Sequence, residues 1–370
     1  MNNMNIPFFN YTDLFTQHNE KLTDIFQSIA GRGAFIMQND LVQFERRLAE
    51  YTGVKYVLGV ANATDAMQLL LKAGGIGDGD EVLFCSHTMV ATASAIKFTG
   101  AVPVPVEAGA DHLMDVETIE SAITPRTKAI MPTQLNGRVA NMDVILAIAD
   151  KYNLQVYEDS AQALGAKYKG KSAGSFGMGG CISFYPAKVL GCFGDGGAVL
   201  TNDKEIYKTI RLMRDHGRGE DGNVSVWGYN SRLDNLQAAI LNYFFDDFEA
   251  IIQRRRVIAN LYDENLKALE SIVLPPAVDS NPDHFDIFQN YEIEASRRDE
   301  LKDYLFDKGI GTLIQWGGKA VHEFRDLGFT QSLPYTENIM RSSLMLPLNM
   351  TVTDDEIKYI CGCIRSFYNH

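Results

Sequence analysis

The stretch QVYEDSAQALGAKYKGKSAGSFGMGGCISFYPAKVLGCFGDGGAVLTND, residues 155–203, decides how this chain is read. It holds three β-rich runs, QVYED (155–159), CISFY (181–185) and GAVLTN (197–202), separated by Gly- and Ser-rich turns. Two of the runs end on polar chemistry: Glu158-Asp159-Ser160-Ala161-Gln162 after the first, and Ser183 to Lys188 around the end of the second. Open α/β sheets bind ligands beyond the carboxyl ends of their strands, so these are the places to look for a site.

Working outward, the same alternation continues upstream. KYVLGV (55–60), EVLFC (81–85), VPVPV (102–106) and KAIMPT (128–133) read as strands. Helical periodicity lies between them at 64–75, 88–99, 115–123 and 143–152, and again at 203–216, with Thr, Asp or Asn opening several of these stretches. This pattern predicts a large α/β domain over residues 1–245, with a mainly parallel seven-stranded sheet flanked by helices. Downstream, Leu233–Leu269 contains neither Pro nor Gly and reads as one long helical stretch leading out of that domain. After the PPAVDSNPD loop, a smaller α+β domain is expected, giving a second domain over residues 246–370.

Composition narrows the function. A formal charge of −13 opposes an electrostatic grip on nucleic acid, whose phosphates call for a basic surface. No apolar run is long enough to span a bilayer, and the opening MNNMNIPFFNYTDLF lacks the basic start and apolar stretch of a secretory leader, so a cytoplasmic protein with no membrane association is expected. The five cysteines (85, 181, 192, 361 and 363) sit among apolar neighbours and read as reduced, buried thiols. Cys361 and Cys363 have no matching Cys/His pair elsewhere, so packing is expected of them and no metal site is assigned.

The strand ends then suggest chemistry. Asn62-Ala63-Thr64-Asp65, His87-Thr88-Met89, Asp159-Ser160-Ala161-Gln162 and Ser183 to Lys188 would converge on one crevice. Singly each has a structural explanation: an N-cap, a hydrogen-bonding histidine, a solvated lysine. Together they leave a strand-borne carboxylate, Asp159, without a charge partner nearby in sequence. A pyridinium nitrogen would supply that partner, and a lysine at the neighbouring strand end would form a Schiff base and then shuttle protons, which is pyridoxal phosphate (PLP) chemistry. The backbone N–H groups at Ala63 and Thr64, at the positive end of a helix, suit the cofactor phosphate, and the hydroxyls of Thr64 and Ser183 add donors.

YEDSAQALGAKYKGKSAGSFG (157–177), SFYPAKVLGCFGDGGAVLTND (183–203) and GYNSRLDNLQAAIL (228–241) resemble the fold-type I sugar aminotransferases of the DegT/DnrJ/StrS family. NATDAM (62–67), IGDGDEV (76–82) and ITPRTKAI (123–130) resemble its framework in the same order. The resemblance implies an aspartate aminotransferase-like fold, a PLP-dependent transaminase, and specific roles. Lys188 would carry the cofactor, Asp159 would pair with the pyridine nitrogen, and Gln162 would lie near the ring or its phenolic oxygen. Ala63, Thr64 and Ser183 would hold the phosphate, joined by Asn230 from a neighbouring subunit, so a homodimer with shared active sites is expected. Amino transfer from L-glutamate to a keto group on a nucleotide-linked sugar is the implied reaction.

The chain departs from the family pattern at Met89, where an aromatic residue usually packs against the cofactor, and at Asn136, where an aromatic is also common. Met fills such space with softer packing. Arg232 is read either as an anion contact or as a partner of Asp234, and His87 and His216 as structural hydrogen-bonders. Other readings are a non-nucleotide keto substrate, a sugar dehydratase or a non-catalytic PLP-binding regulator. The dehydratase branch carries His where Lys188 stands, which disfavours it. A nicotinamide dehydrogenase would show G-x-G-x-x-G after the first strand, and GGIGDGD (74–80) lacks that spacing.

Overall fold

The computed structural model describes residues 5–369. Two helices precede the first strand: α1 (Tyr11–Arg32) and α2 (Asn39–Thr52), each closed by a glycine in the left-handed conformation, Gly33 and Gly53. Then follow β1 (Tyr56–Val60), α3 (Ala63–Ala73), β2 (Glu81–Cys85), α4 (Val90–Lys97), β3 (Val102–Val106), α5 (Val116–Ala122), β4 (Thr127–Met131), α6 (Met142–Tyr152) and β5 (Gln155–Asp159). A small hairpin, β6 (Lys167–Tyr168) and β7 (Lys171–Ser172), leads to β8 (Gly179–Ser183), β9 (Gly197–Thr201) and α7 (Lys204–Met213).

Seven of these strands form one sheet in the order β1-β9-β8-β5-β4-β2-β3. β9 runs antiparallel to both its neighbours, and the ladders from β8 through β5, β4, β2 and β3 are parallel. The carboxyl ends of β1, β2, β5 and β8 therefore share one edge with the start of β9. One face is covered by α3, α4 and α7 through residues such as Leu70, Ile96 and Ile210. The other is covered by α2, α6 and α8 (Asn235–Phe245) through Phe44, Ile145 and Leu241.

The helical stretch read over 233–269 is two helices. α8 ends at Phe245 and α9 (Phe248–Leu266) begins after Asp246-Asp247, where α9 opens without a side-chain cap. The break redirects the chain: Phe248 and Ile252 pack into the large core, whereas Ile258, Tyr262 and Leu266 belong to a separate cluster. That cluster holds the three-stranded sheet β10 (Ile272–Val273), β12 (Tyr291–Ala295) and β13 (Ser343–Leu346). Helices α10 (Arg298–Asp307) and α12 (Asp354–Tyr368) cover it, and Ile6 from the N-terminal segment packs into it. β11 (His284–Phe285) pairs back onto β6, and α11 (Pro334–Ser342) precedes β13. All five cysteines are free and buried. Among the described residues no helix is long and apolar enough to cross a membrane.

Candidate active site

Asp159, the last residue of β5, is buried and receives donors from three elements. The Thr92 hydroxyl donates to Oδ2 at 2.6 Å, the Ala161 N–H to Oδ1 at 3.2 Å and the Cys181 thiol to Oδ1 at 3.6 Å. Thr92 itself ends a relay in which Thr133 donates to Thr88 at 3.1 Å and Thr88 lies 2.9 Å from Thr92. Because a carboxylate oxygen accepts, the relay is polarised toward Asp159. None of these donors is a formal cation, so the buried carboxylate keeps the capacity to stabilise a positive group of a ligand. Its neighbour Glu158 points the other way and is pinned by the N–H groups of Gly174 and Phe176 at 3.0 and 2.6 Å; burial raises its pKa to about 7.

Lys188 follows β8 and brings its amine toward Asp159 and Cys181. Burial lowers the ammonium pKa to about 8, against the opposing pull of those two groups. The backbone on both sides of the lysine is held from the far lobe: Gln289 Nε2 donates to the Ala187 carbonyl at 2.8 Å, and the Val189 N–H donates to Gln289 Oε1 at 2.9 Å. Gln289 is in turn anchored by Arg255 of α9, which donates to the carbonyls of Phe288 (2.9 Å) and Gln289 (2.7 Å). A cavity of about 120 Å³ adjoins Lys188, walled by Phe8 to Tyr11, Arg255, Asn290 and the 348–351 loop.

The start of α3 forms a second part of the same edge. Asn62 caps the helix by accepting from the Asp65 N–H at 2.8 Å, leaving the first N–H groups of the helix, at Ala63 and Thr64, without intrahelical partners. Gly197 lies directly against this turn: a Cβ there would sit 2.4 Å from the Asn62 carbonyl carbon and 2.7 Å from the Ala63 nitrogen. Ser183 is the cross-strand partner of Gly197, so its hydroxyl belongs to the same corner, where it accepts from the Tyr185 N–H at 3.3 Å. The glycine-rich turn after Lys188 achieves this approach by folding back on β8, with the Phe184 N–H bonded to the Gly196 carbonyl at 2.8 Å.

Gln162 is fixed by its oxygen. Oε1 accepts from the Asn136 N–H at 3.0 Å and from Asn290 Nδ2 at 3.2 Å, which leaves the amide N–H₂ group free for a ligand. Asn136 holds a positive φ of 54° and is itself gripped by Glu292, Asn290 and Gln315. Its amide thus acts as a polar hub between the lobes.

The sequence-derived set is therefore assembled in large part: Asp159 beside Lys188, and Ala63 and Thr64 beside the Ser183 and Gly197 corner. Met89 sits 54% exposed at the N-cap of α4, on the same sheet edge. Asn230 is exposed, and no hydrogen bond joins its side chain to the other candidates within this chain. Arg232 pairs with Asp215 at 2.7 Å rather than with Asp234, because the Asp215 and Asn230 segments form an antiparallel bridge that brings those side chains together. Thr92, Gln289 and Arg255 were not singled out from sequence. A threonine amid the small residues of ATASAI was the one available hint for Thr92; nothing local distinguishes the other two.

Residues 16–365 match the DegT/DnrJ/EryC1/StrS aminotransferase family. The chain belongs to that family. It is 36% identical over 373 residues to the dTDP-3-amino-3,4,6-trideoxy-alpha-D-glucose transaminase of Streptomyces venezuelae, covering 98% of this chain and 96% of the relative. It is also 35% identical to a pleiotropic regulatory protein of Geobacillus stearothermophilus, over 99% of this chain and all of the relative. Among solved structures, S. venezuelae DesV in complex with a ketimine intermediate superposes with a TM-score of 0.94 at 35% identity, covering 99% of each chain. The protein has the fold-type I architecture and is a PLP-dependent aminotransferase. The residues present fit that cofactor: a buried carboxylate bonded only by neutral donors, an amine with a lowered pKa beside it, and a helix N-terminus with open N–H groups.

Proposed function

We propose that this aminotransferase moves an amino group from L-glutamate to a keto group on a nucleotide-linked sugar. The observation that carries the chemistry is the placement of the Lys188 amine within the electrostatic reach of the buried Asp159, a carboxylate bonded only by neutral donors. The acceptor class rests on the family's sugar transaminases, including relatives named for dTDP- and UDP-linked sugars.

When bound, pyridoxal phosphate supplies an electron sink for the carbon that loses its proton. Asp159 would keep the ring nitrogen protonated, and the Thr133-Thr88-Thr92 relay holds its Oδ2 in place. Lys188 would hold the cofactor, and its amine, once freed, would serve as the base that moves the donor's Cα proton. Its lowered pKa suits both roles, since an amine protonated at all working pH values could do neither. Gln162, its Oε1 fixed by Asn136 and Asn290, would offer its N–H₂ to the ring substituents. Ala63, Thr64 and Ser183 would hold the phosphate at the α3 N-terminus.

The working unit is a cytoplasmic homodimer in which Asn230 completes the phosphate site of the partner subunit. The 98% exposed Trp227 and 66% exposed Val224, on the loop before Asn230, support a buried role for this segment in an assembly. The first experiment is the absorption spectrum of the purified protein before and after L-glutamate. The yellow band of the lysine-linked cofactor giving way to the near-ultraviolet band of the aminated form supports the donor half-reaction; nucleotide-linked keto sugars then restore the yellow band. A yellow protein that L-glutamate leaves unchanged overturns this donor assignment.

A further inference from the structure

We propose that His87, His112 and Glu292 form a binding site for a divalent transition-metal ion, with zinc the best match to the donors, at the junction of the sheet edge and the small lobe. The three come from the turn after β2, the turn after β3 and strand β12. Each offers a ligand atom within 4.8 Å of the others. His87 Nε2 stands 3.7 Å from Glu292 Oε1, and His112 Nδ1 stands 3.0 Å from Glu292 Oε2. In a tetrahedral site with bonds of about 2.0–2.1 Å, donors lie roughly 3.3 Å apart, so the set, now within 4.8 Å, would draw in around the ion as it binds.

A second observation points into the same place. His87 Nε2 and Glu292 Oε1 have no hydrogen-bond partner although both side chains are wholly buried, at 0% and 1% exposure. Burying two such atoms face to face without a bond is costly, and a shared cation removes the cost.

The surroundings are already those of a ligated site. The other nitrogen of His87, Nδ1, is 3.1 Å from the His112 carbonyl, which selects the tautomer with a free Nε2 lone pair. The other nitrogen of His112, Nε2, is 3.2 Å from Glu294 Oε1, the carboxylate-histidine pairing that orients metal-bound imidazoles. Glu292 Oε2 receives Asn136 Nδ2 at 2.7 Å. A small cavity lined by Asp111, His112, Asn136, Asn290 and Glu292 leaves room on one side for a water as fourth ligand.

Charge favours the ion as well. A divalent ion held by two neutral imidazoles balances the charges of Glu292 and of Glu294, which stand 3.0 and 3.2 Å from His112. The ion would tie three distant segments together and, through Asn136, stiffen the support of Gln162.

The test uses the holoenzyme stripped with EDTA, equilibrated with zinc chloride, dialysed and assayed by elemental analysis. About one zinc ion per chain is expected, with His87→Phe, which keeps the ring against Trp316, and Glu292→Gln each retaining less than about one-tenth. Glu294→Gln should weaken zinc affinity by about 10- to 100-fold. Cobalt(II) loaded in place of zinc should give the visible bands of a four-coordinate ion in the wild type and not in His87→Phe. Retention of cofactor colour and a cooperative melt by the variants excludes misfolding as the cause. Wild-type protein that retains no stoichiometric zinc overturns the proposal and leaves the cluster an ion pair; equal zinc in wild type and both ligand variants overturns it by placing the metal elsewhere.

Discussion

Gln289 brackets Lys188, accepting from the Val189 N–H and donating to the Ala187 carbonyl, across 100 and 102 residues of sequence. One amide therefore sets the path of the backbone that presents the reactive amine, and Arg255 holds that amide's own main chain from behind. Gln289→Leu, which keeps the volume and removes both bonds, is expected to lower kcat about tenfold while KM for the donor changes little, since an interaction of about 1–2 kcal/mol is lost in positioning. Steady-state kinetics with L-glutamate check this. An unchanged kcat would show that the loop holds itself.

Thr92→Val should lower kcat/KM by about tenfold, the cost of one hydrogen bond to a buried carboxylate. Thr92→Ser should recover most of the loss, because it restores the donor. Failure of serine to rescue would assign the threonine to packing alone.

Lys188→Ala should abolish turnover and the lysine-linked absorption band. Asp159→Ala should keep some cofactor yet lose at least about 100-fold in kcat, through loss of the charge that holds the ring nitrogen protonated. Near wild-type activity in either variant is incompatible with the proposed roles.

Covalent attachment of the cofactor needs the neutral amine of Lys188. With its pKa lowered from 10.5 to about 8, the rate at which apo-protein takes up pyridoxal phosphate should climb about tenfold per pH unit up to pH 8 and flatten above it. The Asp159 charge works in the opposite direction to burial, holding the amine's pKa up, so Asp159→Asn should move the inflection to lower pH. Stopped-flow absorbance between pH 6 and about 11 reads both, and an inflection near 10 in the wild type would mean the amine is solvated.

Asn230→Ala should weaken cofactor retention without unfolding the protein, since within its own chain the side chain is exposed. Mixing inactive Lys188→Ala protein with Asn230→Ala protein under conditions of subunit exchange should restore activity at one site of each mixed dimer. No recovery in exchanged dimers would place Asn230 outside the partner's site.

What the sequence determined by itself was the frame and its chemistry-bearing edge. Apolar runs encode strands locally, and residues at the end of a parallel strand lie at the sheet's carboxyl edge, so the place of Asp159, Lys188, Ala63, Thr64 and Ser183 was legible from position, while their individual roles rested on the family resemblance. The break between α8 and α9 was not, since Asp246-Asp247 is compatible with helix and only tertiary packing shows that α9, set off from α8, carries Phe248 in one core and Tyr262 in the other. α1 escaped notice because it buries little: of its residues only Leu22 and Ile29 are fully covered.

Tertiary structure alone decided the supports. Thr92 meets Asp159 across 67 residues, Gln289 meets the backbone around Lys188 across about a hundred, and Glu292 meets His112 across 180. No periodicity records such pairs. They exist because the small lobe folds back onto the carboxyl edge of the sheet, and buried polar atoms there must find partners from whichever segment arrives.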